Sequence, residues 1–577
     1  MLINIITWII IFFTLFSFGD MILVLFNKLC RRSEDYNPVD KILLGLSFVI
    51  IPLSIWSLWL PSNQFFLLIC FLVSFNYWVF SYKRLLSIFS ELKKELKESL
   101  SVAEIGLLFL FVLSSLYFFT WQQDVYDSAF YHMQNIRWNE KYAVVPGLAN
   151  LDDRFGFNSN YFLLSAIFTF RFLLGEAIYP LQPLIVTLLG CWVLYELISS
   201  RYEMKRVILL LSYILLFWVS IYFLGNTSTD ILPNFIIFYV IARIVIYPDI
   251  LKENRLLLFI LPVFLITCKI SIFPVGFISL YLLYYLIKEK KYKIVVFLGI
   301  ISLAILIPWL IRNVIVSGYL VFPFYQIDLF SFDWKVPQEV AIKEKEYISG
   351  IGYYFFRIAL RYPHMSQRDP LAINILTDVI YLLVVVCLVF MTCYLIRTRR
   401  TVKPCLCLIY QIFIFTIAIW AIGGPDIRFV SGLLCAVICV GCILFFYNKE
   451  KYLPSIGKTL SVFFVFSLFF WTTTRYYGFS GQTNIAKAEL ISHILNEPYT
   501  VRDQQKANGI DVLQSFRSYS INNDQSIWVS SELPYDMELP ASIESHYAKF
   551  LPLECIEARG NSMQDGFKAK GGCVFFN

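Results

Sequence analysis

The residues best suited to chemistry crowd into one stretch, Asp124 to Tyr161, reading DVYDSAFYHMQNIRWNEKYAVVPGLANLDDRFGFNSNY. A helix starting near Asp124 puts Asp127, Tyr131, Asn135 and Trp138 on one face at spacings of three and four, with His132 and Asn139 beside them. Two carboxylates, an imidazole and an amide converging in this way suit proton transfer and the gripping of a polar substrate. Asp124 and Asp127 are also the acids that would hold a divalent cation, Mg or Mn, if one is used. Asp152, Asp153, Arg154 and Asn158 form a second polar cluster downstream. The bland reading of the same residues is a solvated interfacial helix rich in acids and aromatics, with His132 hydrogen-bonded in place.

Cations that could meet an anionic group lie at the ends of apolar segments, where a charge is expensive unless it has a partner or a task. Lys269 falls between two such segments in TCKISIFP, Arg312 ends one before Asn313, and Arg428 follows Gly424, Pro425 and Asp426. The planar donor fork of arginine matches phosphate oxygens, which makes Arg428 the strongest of the three. A salt bridge between Asp426 and Arg428, or simple snorkelling, is the structural alternative. His364, Arg361 and Arg368 are weaker anion-binding candidates, and Asp230 is either another acidic contributor or a helix cap.

Those residues must be positioned by membrane helices. The chain has 577 residues, 58% hydrophobic and only 15% charged, a balance that a water-soluble core of this size does not accommodate. Its net charge of +7 sits in short clusters between apolar runs, which excludes a continuous nucleic-acid face. Apolar runs near the roughly 20 residues needed to cross the hydrocarbon predict an all-α polytopic membrane protein with about 14 transmembrane helices. They lie near 3–26, 42–60, 64–82, 103–121, 178–198, 206–224, 231–247, 254–268, 271–288, 293–311, 374–396, 404–422, 428–447 and 457–473. Met1 to Phe26 has no basic residue before it and Lys28, Arg31 and Arg32 after it, so it reads as an uncleaved helix with its start outside.

The basic loops are Lys28–Lys41, Lys83–Lys97, Arg201–Arg206, Lys252–Arg255, Lys288–Lys293, Arg397–Lys403 and Lys449–Lys451. All fall on the cytoplasmic side if Tyr161 to Leu174, interrupted by Arg171, lies in the outer interface without crossing. Outside then lie the loops 121–160 and 312–371 and the tail, with both termini extracytoplasmic. The domains expected are 1–102, N-terminal helices; 103–473, the core with its outer loops; and 474–577, a small α+β soluble domain. Helical patterning over Ile485–Leu495 and strand-like Ile527–Ser530 and Val574–Phe576 mark that domain. Of the thirteen cysteines only Cys555 and Cys573 lie in the tail, where an oxidising compartment would pair them.

The acidic site in the first large outer loop, its Tyr-His pair and the helix just beyond the span resemble the GT-C superfamily of integral membrane glycosyltransferases. Pro308–Pro323, PWLIRNVIVSGYLVFP, and Gly424–Phe429, GPDIRF, are similar to segments near the lipid-phosphate site of its bacterial members. The resemblance covers roughly residues 100 to 475 and implies transfer of a sugar from a polyprenyl phosphate to a cell-envelope glycan or lipid, at a bacterial inner membrane. Such transfer needs a base for the acceptor hydroxyl and cations for the departing phosphate. Asp127 is the expected base, its pKa raised by partial burial, and Asp124 orients it or binds metal. His132, Tyr131 and Asn135 would hold substrate, and Lys269, Arg312, Arg428 and His364 the phosphate. The DxxD spacing departs from the DxD-like pair of many members, which leaves metal use open. A transporter, flippase or polymerase of lipid-linked saccharides, or a non-catalytic envelope-assembly protein, are the other classes that fit; transporters commonly place their ionisable groups near mid-membrane.

Overall fold

The computed structural model describes residues 1–361, 371–398, 403–446, 451–482, 487–507, 515–522, 525–544 and 549–573. A chain this apolar satisfies its backbone groups internally, and it is mostly helical. The helices α1 (Leu2–Cys30) and α2 (Pro38–Trp56) pack backbone to backbone. A Cβ on Gly19 would come within 1.7 Å of the Lys41 carbonyl oxygen, and one on Gly45 within 1.8 Å of that of Leu15. Asn37 caps α2 by accepting from the Asp40 amide, with Pro38 at its first position. The helices α3 (Gln64–Phe80) and α4 (Tyr82–Ser99) meet at 86°, and α5 (Val102–Phe118) opens with a Ser101–Glu104 capping box.

A helical run through a π turn at Ser128–His132 leads into α6 (Met133–Lys141), followed by 3-10 turns at Leu148–Asn150 and Asp153–Gly156. Next come α7 (Asn160–Ile167), α8 (Arg171–Leu174), α9 (Leu181–Ser199), α10 (Met204–Val219), α11 (Ile231–Ile246), α12 (Ile250–Glu253), α13 (Arg255–Cys268), α14 (Phe277–Lys288) and α15 (Tyr292–Ser317). The second long connection contains α16 (Gln338–Arg361). Beyond it lie α17 (Leu371–Thr398), α18 (Pro404–Gly423), α19 (Ser431–Phe445), α20 (Pro454–Gln482), α21 (Lys487–Leu495) and α22 (Val501–Ala507).

Each predicted apolar segment overlaps a helix. Among the described residues eight helices are long and apolar enough to cross a membrane, or nine with the bent α3–α4 pair, which is the architecture of a multi-pass membrane protein. The larger number expected from sequence requires crossing by shorter helices such as α11, α13 and α19. At fourteen residues α13 is about 21 Å long, less than the hydrocarbon thickness.

Three expectations are corrected. Tyr161–Leu174 is not one continuous helix: α7 is eight residues, all buried, and the chain breaks at Phe170 with φ 51° before α8. The tail boundary at 474 falls inside α20, which continues to Gln482, and Arg312 lies within α15 rather than in a loop.

The tail itself has a three-stranded sheet, β1 (Arg517–Ser520) antiparallel to β2 (Ser526–Ser530) and β2 parallel to β3 (Ala541–Ile543). A second pair, β4 (Ile556–Ala558) and β5 (Phe567–Ala569), is antiparallel. Val574–Phe576 lies outside the described residues. The tail packs onto the first long loop and α8: the Phe567 amide donates to the Pro146 carbonyl at 3.0 Å, and Arg171 of α8 pairs with Asp536 at 2.6 Å. Cys555 and Cys573 are disulfide-bonded with Cα atoms 5.8 Å apart.

This bond closes an 18-residue separation, a loop length for which a disulfide contributes about 3 kcal/mol. Non-reducing peptide mapping of the native chain is expected to recover a linked Cys555–Cys573 peptide. Two alkylatable thiols there would contradict both the bond and an oxidising location for the tail.

Candidate active site at the end of the helical core

Asp127 opens a helical turn of unusual pitch. Between Ser128 and His132 the backbone widens into a π turn, the Met133 amide reaching back five residues to the Ser128 carbonyl, and then resumes as α6. Single-turn π bulges inside helices are frequently found at functional sites. The expected straight helix would stack Tyr131 on Asp127. The wider turn shifts the residues after Ser128 out of that straight-helix register.

Asp127 finds its partner 301 residues away: Arg428 Nη1 donates to Asp127 Oδ2 at 2.6 Å. Arg428 also pairs through Nε with Asp426 Oδ2 at 2.8 Å. The turn carrying it is fixed locally, because Asp426 caps Ile427–Phe429 by accepting from the Arg428 amide. Asn234 on α11 donates to the Arg428 carbonyl at 2.8 Å and accepts from the Gly432 amide at 3.0 Å. A Cβ on Gly432 would come within 1.9 Å of the Asn234 carbonyl oxygen, so only glycine lets α19 approach α11 this closely.

A second ion pair, Lys269 with Asp230, stands beside the first. The two share an aromatic: Lys269 lies 4.2 Å and Arg428 5.2 Å from the centroid of Phe429. The structure thus brings together Asp127, Asp230, Lys269, Asp426 and Arg428 from four separate parts of the sequence.

His132 is buried among Tyr131 and Phe162, with ring centroids 4.3 and 5.3 Å away. Among the described residues neither ring nitrogen has a hydrogen-bond partner. Burial pushes the imidazole down to about 4, against the pull of Asp127 and Asp230, so it is neutral at physiological pH with one donor and one acceptor free. Burial alone would raise the Asp127 carboxyl, but the Arg428 guanidinium outweighs it and brings the group down to about 2. This corrects the raised value expected from sequence, which left out the cation. Tyr131 is buried beside Phe157, its phenol pushed up by desolvation and by Asp127.

Arg312 occupies a different place. Its guanidinium, 3% exposed, binds Ser57 Oγ at 2.8 Å and Asn139 Oδ1 at 2.6 Å; among the described residues no carboxylate pairs with it. It lines a small cavity with Asn135, Asn139 and Asn158. Asn139 stands twelve residues beyond Asp127, about 18 Å of helix rise, so Arg312 is remote from the Asp127 centre. Asn135 belongs to this second cavity, where Asn139 donates to its side chain at 3.0 Å.

Asp124 is exposed, 3.5 Å from the Tyr535 hydroxyl of the tail. Among the described residues no group of three or more His, Cys, Asp or Glu side chains is placed to hold a metal ion. Asp153 accepts from the Phe550 amide and Arg154 pairs with Glu344 of α16 at 3.2 Å, so this downstream cluster joins loop, α16 and tail. His364 lies outside the described residues. Sequence reasoning does not single out Glu344, Ser57 or Asn234. Glu344 is one charge among several in AIKEKE, and the other two are ordinary polar residues with no informative spacing.

The His132 shift has a signed consequence. Between pH 6.5 and 4 the unfolded chain binds a proton at this residue and the folded chain does not, so stability falls as the pH is lowered through that window. Melting of the wild type is expected to lose ~3 kcal/mol more than His132→Asn over this range; superimposable pH profiles would contradict it. In comparisons with other proteins, no curated protein and no solved structure matches. One family profile, described as a domain of unknown function (DUF8201), matches residues 1–435. With well over half its length matched, and the whole of the Asp127–Arg428 centre inside the match, the chain belongs to the DUF8201 family.

Proposed function

We propose that this protein is a GT-C-like membrane glycosyltransferase that moves a sugar from a polyprenyl-phosphate donor to a cell-envelope glycan or lipid on the outer face of a bacterial inner membrane. The carrying observation is the Asp127–Arg428 pair, which stands beside Lys269 and a buried histidine whose nitrogens have no partner among the described residues. An acid, two cations and a neutral donor within one compact centre are the groups that transfer from a phosphate leaving group requires.

In this reading the acceptor hydroxyl binds against Asp127. As its oxygen forms a bond to the anomeric carbon, the bond from that carbon to the phosphate oxygen breaks and the hydroxyl proton passes to Asp127. A carboxyl near 2 is a weak base, so the proton moves late, when the attacking oxygen has become acidic. The same carboxylate stabilises the oxocarbenium-like sugar beforehand. Once Asp127 is neutral, Arg428 loses one of its two counter-charges, and its field falls on the departing phosphate together with Lys269 and a hydrogen bond from His132. Arg312 is too far along the helix to hold the same phosphate, and its bonds suit it to tying α2, α6 and α15 together. Asp124 orients the acceptor or the tail above it.

Asp127→Asn is expected to reduce transfer by at least about a thousandfold while leaving the amount of membrane-inserted protein unchanged, read by mass spectrometry of envelope glycans from producing cells. Unaltered glycan in that strain would remove Asp127 from the reaction and with it this function.

A further inference from the structure

The helix α4 is amphipathic, and none of its eighteen residues is buried. Its attachments fix how it is rolled. Arg84 makes two bonds to the buried Asp20 of α1, at 2.7 and 2.8 Å, and Glu95 accepts from the Tyr195 hydroxyl of α9 at 2.5 Å. Leu85, Ile88, Leu92 and Leu96 are half-buried along the side turned towards the bundle. At about 100° per residue, Phe89, Tyr82, Lys93, Leu86, Lys97 and Lys83 share one arc of about 120°, while Glu91, Glu95 and Glu98 fall opposite.

That free arc combines large apolar groups and basic ones with no acid among them. Phe89, Leu86 and Tyr82 are 60%, 63% and 54% exposed, and Lys83, Lys93 and Lys97 have no ion-pair partner among the described residues. Lys94, at the edge of the arc, keeps an exposed pair with Glu98 at 3.9 Å. The helix α4 leaves α3 at 86°, so with α3 crossing the membrane α4 lies along the membrane plane at the level where α3 ends. Phenyl and leucyl groups at that depth enter the boundary of headgroups and acyl chains, and lysines interleaved with them meet phosphates.

We propose that the free flank of α4 is a binding surface for anionic phospholipid, with Phe89 and Leu86 inserted and Lys83, Lys93 and Lys97 on the headgroups. The proposal rests on α3 crossing the membrane and is independent of the transferase reading. Each lysine near a negatively charged bilayer surface adds measurably to attraction, and three on one arc concentrate such lipid around the helix.

The test uses the full chain in nanodiscs of phosphatidylcholine with a minority of phosphatidylglycerol. Native mass spectrometry of the protein with its retained lipid is expected to show phosphatidylglycerol enriched, and the K83Q/K93Q/K97Q triple variant to lose about tenfold of that enrichment. A Phe89→Cys variant carrying a fluorophore is expected to be quenched by brominated lipid. Equal enrichment in the wild type and the triple variant would overturn the proposal. So would labelling of Cys at position 89 by a membrane-impermeant maleimide, which would place the flank in water. Shielding of that position from both reagents would assign the flank to a protein partner instead and equally overturn it. Envelope glycan synthesis is not read in any arm, so failure here leaves the proposed function standing.

Discussion

The pairing of Asp127 with Arg428 is the constraint on which the site depends. Each charge sits in a partly desolvated place, 23% and 22% exposed, where an uncompensated ion would be strongly unfavourable. Bringing them within 2.6 Å ties the start of the helical run through α6 to the turn before α19. It also accounts for the direction of the acid's shift and keeps that acid ionised. The neighbouring Lys269–Asp230 pair repeats the arrangement from α13 and α11, with Phe429 between the two cations.

Charge placement separates the centre from the rest of the molecule. At the Asp127 centre every cation has a carboxylate counterpart, so a phosphate would bind by sharing or exchanging partners. Among the described residues the Arg312 guanidinium is held by hydroxyl, carbonyl and amide oxygens, a neutral setting that ties three helices and a loop. In the proposed reaction the phosphate therefore goes to Lys269 and Arg428 rather than to Arg312, although all three stand at the ends of apolar segments in the sequence.

Much of the architecture was legible because hydrophobic runs of membrane length permit few alternatives to helix. Thus every predicted segment overlaps one, helical spacing singles out Asp127 and His132, and Lys269 and Arg428 stand out as charges in costly places. Local geometry was less legible. The π turn at Ser128–His132 has no composition signal, and it alters the register of the face that Asp127 begins. Glu344 and Asn234 act through contacts more than a hundred residues distant in sequence, which no spacing rule reports. The basic loop Lys83–Lys97 was read only as a topology signal; its helical form shows the lysines gathered on one flank and the acids on the other. The family profile covers the centre but brings no activity with it, so function rests on the chemistry of these residues.

The most direct measurement is a structure of the full chain with a polyprenyl-phosphate-linked sugar bound in lipid nanodiscs. The account predicts the phosphate within hydrogen-bond distance of His132, Lys269 and Arg428, with the sugar's anomeric carbon facing Asp127. A phosphate seated at Arg312, or a sugar bound with Asp127 turned away from it, would contradict it.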